Sequence, residues 1–317
     1  MYLCISCMNE IPEENKEKCP CCGFSRSSYQ PGSGLLLPES IFEERYYIGR
    51  GYNGDSSGIS YIVYDTVMNR RAVLRQLFSS GAPWEGGSPD KYSDFQHRHA
   101  FIDSYQHLAG VKLSSLPKVY TCREDTDRVY AVTQYISQKT LADEIASGGA
   151  KDYKDAKNLL LPVLTSLNVL HSFRIAHGSL NPHTIFMSEN TPVVCDISGN
   201  ALDEKSSAYD VRHFLQIFLS VMCGSPEMIH MKNMPRSFFE NNTLGLPDEV
   251  LKIMCGIMDG EAPYPGVGDV FRAVYGTDAG LPEIKTTRNS QKPPPKYLFD
   301  LAAKRGVAVT RLITSLE

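Results

Sequence analysis

Two hydrophobic periods divide the chain. From Phe42 to about Ala82 the apolar residues fall in short β-branched and aromatic runs bounded by turn residues, Ile59–Tyr64 and Ala72–Leu77 among them, which predicts strands. Residues 81–89 (GAPWEGGSP) read as a loop, Tyr92–Leu108 has helical spacing, and Val129–Tyr135 predicts another strand. Beyond Leu141 the helical period dominates, predicting helices over Leu141–Ala146, Tyr153–Phe173, Tyr209–Met222, Pro247–Met258 and Gly268–Tyr275. A strand-rich first part followed by a helix-rich second part implies an α+β, two-lobed body over residues 42–276.

The flanks differ in composition. Residues 1–26 hold a cysteine cluster, and residues 27–41 open on SSYQPGSGLLLP, whose Ser, Gly and Pro predict a linker. Residues 277–296, with Pro282 and the triplet Pro293–Pro295, predict an extended linker, and residues 297–317 return to helical spacing with a break at Gly306. That tail is basic, with Lys285, Arg288, Lys292, Lys296, Lys304, Arg305 and Arg311 nearby against Asp300 and Glu317. It is too short for a DNA-binding domain and reads as an amphipathic segment that packs on the body or on a partner. The whole chain of 317 residues carries 32 Lys and Arg against 36 Asp and Glu, a net charge of -4, so no global positive field attracts nucleic acid or anionic membrane. The longest apolar stretches, Leu159–Leu170 and Phe214–Cys223, are shorter than the roughly 20 residues that span a bilayer. No signal peptide is visible at the N-terminus, and a cytoplasmic location is expected.

Five of the nine cysteines, Cys4, Cys7, Cys19, Cys21 and Cys22, lie in the first 22 residues. Cys4-x2-Cys7 and Cys19-x2-Cys22-Gly23 have the spacing of two facing knuckles that place four thiolates about one zinc ion. Cys21 competes with Cys22 for the fourth position, and Cys22 is preferred because it repeats the first spacing. A segment of about 25 residues cannot bury enough apolar surface to fold alone, so the metal supplies its folding energy. Four sulfur ligands leave no open coordination position, which makes the expected zinc structural. His97, His99 and His107 lack ligand spacing.

Five segments in order carry a resemblance: IGRGYNGDSSGISYIVYD (48–65), RRAVLRQLF (70–78), YAVTQYI (130–136), LHSFRIAHGSLNPHTI (170–185) and VVCDIS (193–198). Together they resemble the bacterial eukaryotic-like Ser/Thr protein kinases, specifically those with an N-terminal zinc ribbon. The resemblance covers about residues 42–276 and implies a two-lobed protein-kinase-like fold. It also implies functional positions, most of which carry other residues. The Gly-rich loop places fall on Asn53, Asp55 and Gly58, so only Gly58 matches. The strand Lys falls on Arg75, whose planar fork is not equivalent to an ammonium. The helix Glu falls on Ser104, or on Asp103 in the adjacent register. His-Arg-Asp-x4-Asn falls on His177, Gly178, Ser179 and Thr184, so the base is replaced by a hydroxyl and the second metal ligand by Thr184. Asp-Phe-Gly falls on Asp196, Ile197 and Ser198, leaving one metal-binding carboxylate.

Asp196 is followed only fourteen residues later by Asp210, whose Asp-Val-Arg falls on the Asp-Val-Tyr that starts the helix after the activation loop in that family. The Ala-Pro-Glu motif is missing between them. His177 and Asp210, which brace the catalytic loop in kinases, are kept. The expectation is therefore a catalytically inactive kinase-like protein, a pseudokinase acting on a protein partner as a binding, scaffold or regulatory module. Gly58, Arg75 and Asp196 would then be a vestigial nucleotide site with doubtful ATP and Mg2+ binding. Two alternatives share the fold: nucleotidyl transfer, and a weak, unorthodox Ser/Thr kinase using Arg75 and Asp196.

Overall fold

The computed structural model describes residues 2–32, 35–55, 57–78, 91–124, 128–260 and 265–276, with side chains in the first helix from residue 96 on. The predicted loop at 81–89, the Pro-containing linker and the basic tail lie outside the described residues. Among the described residues two compact units emerge, one of residues up to Val111 with Lys118–Tyr135, the other of Lys112–Pro117 with residues 136–276.

In the first unit, β1 (Tyr2–Leu3) and β2 (Glu10–Ile11) pair antiparallel around the first cysteine pair. An antiparallel six-stranded sheet follows, made of β3 (Ile41–Phe42), β4 (Tyr46–Asp55), β5 (Gly58–Asp65), β6 (Arg70–Leu77), β7 (Val119–Glu124) and β8 (Val129–Gln134) in the order β3-β4-β5-β6-β8-β7. Strand β5 is buried along nearly its whole length, which explains why ISYIVY is apolar on both faces instead of alternating. Helix α1 (Lys91–Ala109) lays Phe101, Ile102 and Tyr105 against Leu77, Val129 and Ala131.

A buried ion cluster closes the β5–β6 turn. Asp65, 1% exposed, accepts from Nε and Nη2 of Arg45 at 2.8 Å each and from the Met68 N–H at 3.2 Å. The Arg45 hydrogen bonds outweigh burial and hold the Asp65 carboxyl below its usual range.

The segment expected to be a linker is not slack. Leu35 and Leu36 pack against the sheet core, the Leu36 N–H donates to the Tyr61 hydroxyl at 3.1 Å, and the Tyr29 hydroxyl accepts from the Gly51 N–H at 2.9 Å. Linker-like composition hid the apolar contacts.

The second unit contains α2 (Leu141–Gly148), α3 (Tyr153–Ser172), the hairpin β9 (Ile185–Ser188) and β10 (Thr191–Val194), α4 (Glu204–Cys223), α5 (Arg236–Glu240), α6 (Asp248–Asp259) and α7 (Val267–Tyr275). Their starts are chemically marked. Thr140 and Asp203 form capping boxes with Asp143 and Ser206, and Asp152 caps the Asp155 N–H. The cap at Asp203 starts α4 five residues before the apolar period begins at Tyr209, so periodicity alone missed its first turn.

From Phe214 to Met222 every residue of α4 is buried, as expected of a helix surrounded by protein. Its polar residues form a stripe that holds loop backbone. Asp210 and His213 reach the segment 177–180, the Gln216 side chain accepts from the Met231 N–H at 3.3 Å, and the Ser220 hydroxyl accepts from the Ile229 N–H at 2.7 Å. Among the described residues no helix is long and apolar enough to cross a membrane.

Replacing Asp65 by Ala should cost about 2–4 kcal/mol, because Arg45 loses a buried bidentate partner. Chemical denaturation would measure it. The depressed carboxyl stabilises the fold above its unfolded pKa of about 3.9, and that contribution is lost as pH falls further through the folded value. The gap between wild type and Asp65→Ala should therefore narrow in acid.

Candidate functional site

Candidate functional residues lie in both units. In the first, the four expected cysteines converge. The sulfurs of Cys4, Cys7, Cys19 and Cys22 all lie within 4.8 Å of one another, with Cys4 to Cys22 and Cys7 to Cys19 at 3.8 Å. Four sulfurs about 2.3 Å from a central ion at tetrahedral angles would stand about 3.8 Å apart, so the donor set fits a tetrahedral metal. Cys21 is exposed and outside the cluster, which decides the fourth position for Cys22. Burial pushes the Cys4 thiol up to about 11 and the Cys7 thiol higher still. Metal binding must displace those protons. Among the described residues no other His, Cys, Asp or Glu group is close enough to hold a metal, the three histidines near α1 included.

On the same unit, β4 and β5 meet in a tight hairpin between Asp55 and Gly58. A Cβ at Gly58 would stand 2.3 Å from the Gln76 carbonyl oxygen, so β6 requires glycine there. Asn53 takes φ 47°, a left-handed conformation that asparagine tolerates better than most residues. Of the three positions implied for the motif's glycines, Asn53 thus takes a conformation that favours glycine and Gly58 is required by the close approach of β6.

Arg75 is central in β6, 2% exposed, with Nη1 and Nη2 donating to the hydroxyls of Ser60 at 3.4 Å and Ser57 at 3.1 Å. On α1 the inward residue is Ser104, 4% exposed, while Asp103 turns to Nδ1 of His107 at 3.4 Å. Ser104 is thus the more buried of the two positions that the resemblance offers for the helix Glu. A neutral hydroxyl stands where the resemblance implies an acid.

In the second unit, the segment 176–184 is built around Asp210, which has no exposed surface. Its carboxylate accepts from the backbone N–H of His177 at 2.8 Å and of Gly178 at 3.0 Å, and from Nε2 of His171 at 3.1 Å. Burial alone would push this carboxyl up, but the His171 and Gly178 hydrogen bonds hold it below its usual range. One helical turn on, Nδ1 of His213 donates to the Leu180 carbonyl at 2.8 Å. Sequence reading missed His213; the available signal was its i,i+3 spacing from Asp210 on an apolar helix. His177 donates from Nε2 to the Cys195 carbonyl at 2.9 Å and accepts at Nδ1 from the Ser179 N–H at 3.3 Å.

Thr184 is spent on structure. Its hydroxyl donates to the Asn181 carbonyl and accepts from the Asn181 N–H, each at 3.0 Å. Asn181, also missed, closes the turn further by donating to the Ser179 carbonyl at 2.8 Å and accepting from the His183 N–H at 2.8 Å. The Ser179 hydroxyl oxygen is buried and has no hydrogen-bond partner among the described residues.

Asp196 is 7% exposed and holds φ 55°, a left-handed conformation unusual for a residue with a side chain. Backbone bonds pin it on both sides, from the Cys195 N–H to the Thr184 carbonyl at 2.9 Å and from the Ser198 N–H to the His177 carbonyl at 3.0 Å. The short segment that follows pairs back along the chain: the Ala176 N–H donates to the Asn200 carbonyl, the Leu202 N–H to that of Arg174, and Ile175 bridges Ala201. Gly178, at φ 81°, allows this ribbon to close, since a Cβ there would stand 2.6 Å from the Ser198 hydroxyl oxygen.

Comparisons with known proteins agree on one class. The fold is that of protein kinases: a crystal structure of Rad53 residues 1–466 in complex with AMP-PNP superposes with a TM-score of 0.50 at 12% identity, covering 73% of this chain and 65% of that one. Curated relatives include the Ser/Thr protein kinase PrkC of Bacillus subtilis, 21% identical over 76% of this chain and 34% of that protein. PknA of Nostoc is 24% identical over 50% of this chain and 28% of its own, and a probable PknB of Bifidobacterium longum is 34% identical over 54% and 25%. The chain thus spans about a third or less of each of these proteins' length. No family model matches.

These matches correct the expectation that the chain is not an enzyme, because the relatives are kinases by name. That expectation equated lost side chains with lost chemistry. Phosphoryl transfer through a loose transition state depends mainly on positioning and electrostatics, which fewer side chains can supply.

Replacing Asp210 by Asn would turn an NH2 toward donors that require an acceptor. About 3 kcal/mol of stability should be lost, together with amide-exchange protection at residues 177–178. Gly178→Ala should destabilise by at least 1 kcal/mol through positive φ and the Ser198 collision.

Proposed function

We propose that the chain is an ATP-dependent phosphotransferase of the protein-kinase fold, slow and acting on Ser or Thr of a protein, with a structural zinc ribbon. The observation that carries this reading is Asp196: a buried carboxylate in a strained backbone conformation, pinned on both sides by loop hydrogen bonds. Strain of this kind persists where the surroundings over-determine it, and it clusters at functional sites. A single carboxylate is a sufficient protein share of a magnesium site when substrate phosphates and water complete the shell. Bound there, Mg2+ would supply charge neutralisation on phosphate oxygens.

The chain's own residues take the remaining roles. Within the first unit, buried Arg75 is a fixed positive charge at the position that the kinase resemblance implies for a phosphate ligand. Within the second, Ser179 stands at the position of the base but is no base at neutral pH. Thr184 holds the loop closed. Orientation without a base predicts slow turnover, since general base catalysis contributes on the order of 10^2- to 10^4-fold. The zinc reading rests on the 3.8 Å sulfur spacing and on the absence, within four thiolates, of an open coordination position.

Incubation with γ-labelled ATP and Mg2+ tests the catalytic reading. Wild type should label itself or an added protein slowly, Asp196→Asn should abolish labelling, and Ser179→Asp should raise it at least tenfold by restoring a base. Transfer of α-label instead would mean nucleotidyl transfer. No transfer by either active form, with no thermal shift at millimolar ATP, would overturn the proposal. Elemental analysis should find one zinc per chain, absent from a Cys4→Ser, Cys7→Ser double variant. Zinc affinity should rise with pH as the thiols surrender their protons.

A further inference from the structure

The cysteine knuckle is built into the sheet beside the β4–β5 hairpin. Pairing of β4 with β5 slips between Ile48 and Gly51, which releases Gly49 and Arg50 from the regular ladder. The ribbon occupies that slip. The Arg50 N–H donates to the Ile5 carbonyl at 2.7 Å, and Ile5 lies between the ligands Cys4 and Cys7. A Cβ on Gly49 would stand 2.4 Å from the same carbonyl oxygen, 2.2 Å from Cε of Met8 and 2.7 Å from Cγ2 of Ile62. Glycine at 49 is therefore what lets the knuckle seat. Ile5 and Met8 are 3% and 2% exposed.

The neighbouring contacts continue onto the same strand. The Arg50 guanidinium lies 5.3 Å from the centre of the Phe24 ring, just beyond the second knuckle. The Gly51 N–H donates to the hydroxyl of Tyr29 at 2.9 Å. Arg50 is thus held by the ribbon and Gly51 by the segment that follows it, with Gly49 leaving room for the knuckle, and the hairpin tip begins four residues after Gly51. An edge-side strand that bulges twice, after Ile48 and again after Tyr52, has few ladder bonds of its own there. Its shape depends on the ribbon, and the shape of a ribbon this small depends on its metal.

We infer that the first knuckle is a positioning element for the β4–β5 hairpin, so that metal occupancy of the Cys4, Cys7, Cys19 and Cys22 cluster and nucleotide affinity at the hairpin are coupled. The inference rests on the proposed nucleotide-binding role of the hairpin. Linkage makes the coupling reciprocal: metal tightens nucleotide, and nucleotide slows metal loss by the same factor in affinity.

The full-length chain is compared with and without its metal, removed by a strong chelator, using a fluorescent ATP analogue with Mg2+ for affinity and amide exchange for structure. Metal removal should weaken the analogue about tenfold and deprotect residues 48–54, while residues 141–148 and 204–223 keep their protection, which separates coupling from general unfolding. A Gly49→Ala variant leaves all four thiolates in place. It should still bind one metal per chain but lose protection over residues 48–54, weaken the analogue and release metal faster. Analogue binding that is equally tight with and without metal, and unchanged in Gly49→Ala, would overturn the coupling. If the intact protein does not bind the analogue but residues 48–54 still loosen on metal removal, the positioning role stands and the nucleotide reading fails.

Discussion

Asp210 presents a carboxylate, with no surface to solvent, to three donors at once: two successive backbone N–H groups and an imidazole. Burying a charge at this depth is tolerated because all three donors hydrogen-bond the carboxylate. In return the carboxylate fixes the chain at 177–178, from which the rest of the second unit's site follows. His177 then reaches the Cys195 carbonyl, which sets the strand end before Asp196, and the His177 carbonyl takes the Ser198 N–H beyond it. The strained backbone of Asp196 is held between those two contacts. Removing the acceptor at 210 would undo a chain of geometry that ends at Asp196.

The ribbon and the sheet of the first unit show the same economy in another chemistry. Backbone groups left free by a bulge in β4 are satisfied by the knuckle that carries two cysteines, and a glycine gives the knuckle room. A buried N–H without a partner would cost on the order of 1–3 kcal/mol, so the bulge and the ribbon depend on one another. Tyr29 and Leu36 extend the dependence into the segment of Ser, Gly and Pro that joins them.

Three of the positions where the kinase resemblance implies another residue carry hydroxyls: Ser104 where an acid is implied on α1, Ser179 where the base is implied, Thr184 where a metal ligand is implied. Each is accommodated differently. Thr184 is consumed by the turn of Asn181, Ser104 is packed into the α1 interface, and Ser179 alone keeps a buried oxygen without a partner among the described residues.

Much of this was legible in the residues themselves. The spacing of Cys4, Cys7, Cys19 and Cys22 determined the metal cluster because two-residue knuckles act locally, and the periods of β5, β6, α3 and α6 followed from side chains that must face a core. The kinase-like order of segments located Arg75, Asp196 and Asp210. Tertiary structure alone decided the rest, because it depends on atoms distant in sequence. It chose Cys22 over Cys21 by which side chain turns inward, and buried Ser104 more deeply than Asp103. It made the supposed linker part of the core through Tyr61, assigned Thr184 to a turn, and brought His213 beneath Leu180. The seating of Ile5 on Gly49 could not be read from either segment, since a carbonyl and a missing Cβ leave no periodic or compositional trace until the fold brings them together.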